Sequence, residues 1–445
     1  MRARFPIAIR RLSKQRQREA VERRRTWDHE VIGWIPERIS IQKPGTEFDP
    51  DKVFEKLFRR MHQGDCLITL ATGRLSKEEC DRAGLVETHA YAVLDLRRID
   101  EKRLLKLKNP WTHLRWKGRF SEKDLTSWNL ELRKALSYDP EKAAEKDDGV
   151  FWIDFESVLH FFDVFYVNWD PAMFPFTSVV HASWDACTGP VKDLYTVGDN
   201  PQYILTVENG SRPAAVWILL TRHITRIEDF AENKEYITVM VYDTGRKVYI
   251  PSDPKPISDG ARINSPHYLC QLVASNSGTN KYTLVVAQYE KTTTIRYTLR
   301  AFSTAKCILK PIISHFKHTK TISAAWDEHT AGGCGNGVPK GTVLNNPVFE
   351  LKVSSASDDN TVLIELKAPK QYSVAFDVKQ ISSARTTFYE PKHSGAFRPG
   401  YTILELLTVP AGVYHVRPMT FIANQKGPFI LKIDSTCVID LKRIK

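Results

Sequence analysis

One block of this chain is written twice. Trp184-Asp185, Asn200-Pro201-Gln202-Tyr203 and Trp217-Ile218-Leu219-Leu220 recur in order as Trp326-Asp327, Asn346-Pro347-Val348-Phe349 and Leu363-Ile364-Glu365-Leu366, with a last interval of seventeen residues in both copies. Pro266-His267-Tyr268 and Tyr282-Thr283-Leu284 are echoed by Pro399-Gly400-Tyr401 and Tyr414-His415-Val416. A period of about 130–145 residues is a whole domain, too long for a solenoid unit. Short β-type runs such as Tyr236–Tyr242, Tyr282–Ala287 and Thr361–Leu366, broken by Gly and Pro, predict two all-β sandwiches over residues 171–310 and 311–445. The turn Asp243-Thr244-Gly245-Arg246 predicts a hairpin joining Tyr236–Tyr242 to Lys247–Ile250. The repeated aromatics Trp184, Trp217, Trp326 and Phe349 are expected in the sandwich cores.

The segment before the repeat reads differently. Residues 32–170 mix alternating runs, Cys66–Leu70 and Ala90–Leu96, with an amphipathic stretch at Asp154–Phe162. That pattern predicts an α+β unit. Residues 1–31 form a basic tail. Ten Arg or Lys stand against four Asp or Glu in the first 30 residues, while the remaining 415 carry 54 basic and 48 acidic side chains. The net charge of +12 is therefore half a property of the tail, and the rest is an ordinary mixed surface that argues against a nucleic-acid partner. Glu19 and Glu22 disfavour a mitochondrial transit peptide. The sequence has no apolar run approaching the roughly 18 residues of a spanning helix, and its seven cysteines include no CxxC pair, so a cytoplasmic protein with free thiols is expected.

Chemistry concentrates in the α+β unit. His89 precedes the run Ala90–Leu96, and Asn109-Pro110-Trp111 follows twenty residues later. An imidazole and a carboxamide are two of the three parts of a Cys–His–Asn site: the amide oxygen accepts from one ring nitrogen and fixes the tautomer, and the other nitrogen exchanges a proton with a thiol. Cys66, in Gln63-Gly64-Asp65-Cys66-Leu67, is the tempting third part, but it opens a strand-like run, whereas a nucleophilic thiol belongs at a helix N-terminus. Cys80 sits in the acidic segment Lys77-Glu78-Glu79-Cys80, which disfavours a thiolate. No nucleophile is assigned. Gly332-Gly333-Cys334-Gly335-Asn336-Gly337 lacks the Lys and Ser/Thr of a phosphate loop, and His315 with His318 lacks cysteine or acidic company for zinc.

The run Gly84–Val93, then Leu105–Trp111, then Trp116-Lys117-Gly118-Arg119, then Asp148–Ile153 resembles the second half of the calpain catalytic domain in order and spacing. Gly33-Trp34-Ile35-Pro36-Glu37-Arg38-Ile39 and the tandem β-domains narrow the resemblance to the calpain-7 and PalB-like branch. It implies an α+β half of a papain-like calpain catalytic domain followed by two C2-like sandwiches. It also implies that His89 is the general base, Asn109 its orienter and Trp111 a shield for their bond, in an intracellular cysteine endopeptidase acting on protein substrates. Because residues 1–25 do not share it, the resemblance implies a chain truncated at the N-terminus, with a partner protease half missing and the surface around Trp111 and Trp116 uncovered and apolar. Such a chain is expected to be inactive alone. Arg115, Glu122, Asp148 and Val150 fall at positions where calcium-dependent members carry acids, so with two acids lost no calcium, and no other cofactor or metal, is expected. The alternative function is a non-catalytic scaffold whose sandwiches bind protein partners or an anionic membrane.

Overall fold

A computed structural model describes residues 33–41, 48–224, 235–260, 265–335, 342–383 and 388–445. The basic tail, and Asn336-Gly337 of the glycine-rich run, lie outside the described residues.

The first unit is a mixed-order antiparallel sheet with helices on both faces. Its strands are β1 (Ile35–Ser40), β2 (Cys66–Thr72), β3 (Ala90–Ile99), β4 (Lys102–Lys108), β5 (Val150–Asp154) and β6 (Phe162–Trp169), in spatial order β1-β6-β2-β3-β4-β5. Helix α1 (Pro50–Gln63) starts where the Asp49 side chain accepts from Lys52 N and Pro50 presets the first turn. It stops at Gly64, whose φ of 82° lets its N–H reach back to the carbonyls of Arg60 and Met61. The Gly64-Asp65-Cys66 run is thus a helix end running into β2.

Helix α2 (Lys77–Ala83) begins with a reciprocal capping box between Ser76 and Glu79. Helices α3 (Leu130–Leu136) and α4 (Pro140–Ala144) follow β4, and α5 (Phe155–Phe161) follows β5 with Asp154 as its cap. Phe54, Leu57, Leu70, Tyr91, Leu107 and Phe165 fill the main core, while Leu104, Phe120, Trp128, Leu132 and Trp152 form a second small core around α3.

Each repeat copy is a two-sheet sandwich, and the copies share one wiring. In the first, one sheet runs Ile237–Tyr242, Gly278–Gln288, Gln202–Asn209, Lys306–Pro311, and the other His267–Ala274, Ala214–Arg222, Ile295–Ser303, Phe176–Trp184. In the second, the same orders are met as Ser373–Ser383, Gly412–Thr420, Phe349–Ser354, Val438–Arg443, and Tyr401–Val409, Asn360–Lys367, Gly427–Ser435, His318–Trp326. Two short strands, Lys392–His393 and Arg398–Pro399, are added to the second copy. Every repeated motif falls at a matching strand: Trp184 and Trp326 each end a nine-residue strand, and Asn200 and Asn346 each precede the next strand of their copy.

Three expectations are corrected here. Ile237–Tyr242 does not pair with Lys247–Ile250; its partner is Gly278–Gln288, because the buried Gln202 carboxamide takes up the groups of Val248, accepting from its N–H at 2.9 Å and donating to its carbonyl at 2.6 Å. Trp217 is not in a sandwich core. It points outward and meets Trp169 edge-on at 5.4 Å and Phe174 at 4.9 Å, so that Leu219 and Phe302 join the core of the first unit. Trp116 is buried at 4% exposure against Phe161, with its indole N–H on the Arg119 carbonyl; of the two tryptophans expected on an open surface, only Trp111 is there, at 46%.

Candidate active site

The β3–β4 hairpin sets the geometry. Its register runs from Ile99↔Lys102 at the turn to Ala92↔Lys108 at the open end, with one irregularity between Val93 and Asp95. His89, just before β3, and Asn109, just after β4, therefore emerge side by side despite twenty residues between them.

His89 is clamped by its backbone before its ring does anything. Its N–H donates to Thr72 Oγ1 at 2.9 Å, its carbonyl accepts from Thr72 N at 3.0 Å, and Thr88 N donates to the Gly73 carbonyl at 2.8 Å. Thr88 takes a left-handed φ of 45°, a costly conformation for a β-branched residue that fixes how the chain delivers His89 into the sheet. The ring is 1% exposed and stands edge-on to Tyr91 at 5.0 Å.

Asn109 is fully buried and both polar atoms of its side chain are engaged. Its amide nitrogen donates to the Leu114 carbonyl at 2.9 Å, and its oxygen accepts from Trp111 N at 2.9 Å and from His89 Nε2 at 2.9 Å. The two backbone contacts define which end of the carboxamide is oxygen, so His89 must carry its proton on Nε2 in this bond. The backbone N–H of Asn109 donates to the Gly149 carbonyl at 2.9 Å. Gly149 has a φ of 72°, and a β-carbon there would lie 2.6 Å from the Asn109 carbonyl oxygen, so only glycine fits this seat. The half-exposed Trp111 ring lies 4.5 Å from that of His89, tilted by 43°.

The cysteines are placed elsewhere. Cys66 is fully buried at the start of β2, opposite Trp169, whereas His89 is tied to Thr72 at the other end of that strand. Six residues of strand separate them by about 20 Å. Burial, then the adjacent Asp65 charge, push the Cys66 thiol up to about 12, the reverse of what a nucleophile needs. Cys80 stands in the last turn of α2, its carbonyl accepting from Gly84 N, rather than at a helix N-terminus.

The four residues read against a calcium site are not a shared cage. Arg115 Nε pairs with Glu122 Oε1 at 3.4 Å, and Asp148 Oδ1 accepts from Val150 N at 2.9 Å. Among the described residues no group of three or more His, Cys, Asp or Glu is arranged to hold a metal ion. His318 opens the second sandwich's edge strand, while His315 packs against Phe316. Thr72, Gly149 and the Leu114 carbonyl were not singled out from sequence; only Asp148-Gly149, a turn dipeptide before a strand, carried a readable signal.

The sheet unit and the second sandwich match known protein families. Residues 17–168 match the profile of the calpain family cysteine protease, a match that starts inside the basic tail, and residues 322–433 match calpain large subunit, domain III. The chain thus couples cysteine-protease-domain sequence to calpain β-sandwich sequence. Calpain-7 of Mus musculus is 45% identical over 94% of this chain and 51% of its own length, and calpain-7 of Homo sapiens 44% over the same shares. The calpain-like protease palB of Emericella nidulans is 27% identical over 93% of this chain and 47% of its own. The chain belongs to the calpain family, in its calpain-7 and PalB-like branch. It spans about half the length of the curated relatives it matches. A solved structure of PNGase F from Flavobacterium meningosepticum aligns over 60% of the chain at 7% identity and a TM-score of 0.20, too low to bear on the fold. Among the described residues no helix is long and apolar enough to cross a membrane.

Proposed function

We propose that this chain carries the histidine–asparagine half of a papain-like calpain endopeptidase, acting inside the cell on internal peptide bonds of protein substrates. The observation that carries the reading is the buried 2.9 Å bond from His89 Nε2 to Asn109 Oδ1 beneath Trp111. With Nε2 committed to Asn109, Nδ1 is the nitrogen that takes a thiol proton as the thiolate attacks a carbonyl, and returns it to the leaving amine. The imidazolium formed in between is stabilised by the Asn109 oxygen in a site where low dielectric strengthens the bond. None of the seven cysteines stands out as the attacking thiol, so the reading assigns the nucleophile to a separate protease half and no cofactor to the chemistry.

The purified chain is expected to leave a fluorogenic peptide uncleaved above buffer background. Cleavage abolished by Cys66→Ser would overturn the assignment of Cys66, and cleavage insensitive to His89→Ala would overturn the class of mechanism.

A second reading rests on the contrast between two closed, C2-like sandwiches and a site with two of its three parts. In it the chain is an adaptor whose sandwiches bind a protein partner or an anionic membrane. Sedimentation with vesicles at physiological salt tests the membrane form: equal partitioning with neutral and anionic lipid counts against it.

A further inference from the structure

The carboxamide that orients His89 is itself oriented by a loop, and that loop is held from two sides. Asn109 Nδ2 donates to the carbonyl of Leu114. The next residue, Arg115, is 15% exposed in its side chain and reaches across to α4, where Nη1 donates to the Ala143 carbonyl at 2.8 Å and Nη2 to the Ala144 carbonyl at 3.4 Å. Its Nε faces Glu122 Oε1 at 3.4 Å, on a carboxylate only 5% exposed. On the opposite side the loop abuts the end of α2: a β-carbon at Gly84 would overlap the Arg115 carbonyl oxygen, and Lys117 N donates to the Ala83 carbonyl at 2.9 Å.

We propose that Arg115 is a positioning residue, whose guanidinium locks the Leu114–Arg115 backbone so that the Asn109 amide, and through it the His89 tautomer, is preset. The proposal rests on the histidine–asparagine reading above. Three features single out arginine for the task. The acceptors belong to two segments, Ala143 and Ala144 on α4 and Glu122 in the loop, and a planar five-donor fork can serve them together where a lysine point charge cannot. The carbonyls at the C-terminal end of α4 carry partial negative charge that favours a cation. Glu122 is buried, and a buried carboxylate requires a paired cation. No intermediate element stands between the fork and the amide: Leu114 and Arg115 are adjacent residues.

The experiment uses the full chain with 15N-histidine and reads the imidazole nitrogens of His89 by long-range proton–nitrogen correlation, with thermal unfolding alongside. Wild type is expected to show His89 as a single Nε2–H tautomer. Asn109→Ala is expected to lose that signature and move the two nitrogens toward tautomer-averaged values. Arg115→Met combined with Glu122→Leu removes the buried charge pair together, keeping the fold without an orphaned carboxylate; it is expected to shift His89 in the same direction as Asn109→Ala. Arg115→Lys, which keeps the charge and loses the fork, is expected to give an intermediate shift. A wild-type His89 signature in either folded Arg115 variant, with Asn109→Ala shifted, overturns the proposal alone. A wild-type signature in Asn109→Ala overturns the reading beneath it, and the proposal with it.

Discussion

Three asparagines in this chain precede proline and are buried: Asn109 at the site, and Asn200 and Asn346 at matching points of the two sandwiches. Asn200 donates to the Val286 carbonyl, and Asn346 to those of Gly333 and Val343, but neither side-chain oxygen has a hydrogen-bond partner among the described residues. Asn109 also donates to a carbonyl, yet its oxygen takes two donors, one of them an imidazole. The same dipeptide, buried each time, is a brace in two places and the partner of an imidazole in the third. What separates them is a titratable partner on the oxygen, which local sequence does not show.

That contrast can be broken by mutation. The larger stability loss of the two braces is expected for Asn346→Ala, which strips the buried Gly333 carbonyl of its side-chain donor and removes one of two donors from that of Val343, about 2–3 kcal/mol in urea unfolding of the second sandwich. His89 should not respond to it, and a change in the His89 nitrogens would dissolve the distinction between brace and site. Gly149→Ala comes next, at about 1–3 kcal/mol from forcing a side chain into left-handed backbone. Unlike Asn346→Ala it is expected to disturb His89, because the new β-carbon pushes on the Asn109 carbonyl.

A smaller, pH-dependent effect lies at Asp124. Desolvation opposes its charge, but hydrogen bonds from Ser127, Thr126 and Phe120 prevail and hold its carboxyl down to about 2. A carboxylate depressed in the fold contributes stability that is fully present above its ordinary value of 3.8 and is lost as pH falls through 2. Wild type is therefore expected to be more stable than Asp124→Asn at pH 7, with the difference closing between about pH 4 and 2. A constant difference across that window would show that Asp124 acts through something other than its charge. The smallest expected effect is none: with Arg115 occupying Glu122, millimolar calcium or chelator should leave the melting temperature and the His89 nitrogens in place.

Much of the architecture could be read from residues alone, and the reasons differ from element to element. The sandwiches were legible because repeated Trp-Asp and Asn-Pro pairs recur at fixed distances from strands, and a duplicated pattern is hard to produce by chance. His89 and Asn109 were legible as a pair through their chemistry and twenty-residue spacing, while the hairpin that brings them side by side was not read. The Lys247–Ile250 hairpin failed because a turn signal says nothing of Gln202, a side chain 46 residues upstream that satisfies the backbone of Val248 instead. Trp217 was misplaced since a tryptophan in an alternating strand looks the same whether its face is covered by the opposite sheet or by a neighbouring unit. Thr72, the clamp on His89, gives no local sign at all: its role exists only once β2 and the start of β3 are side by side.

The meeting of Trp217 with Trp169 has a geometric corollary. It lies at the Cys66 end of the central sheet, so the first sandwich grips the sheet unit by its heel while His89 and Trp111 sit at the toe. It serves as a handle rather than a hood, and the grip leaves the end of the sheet that carries His89 and Trp111 uncovered by that contact.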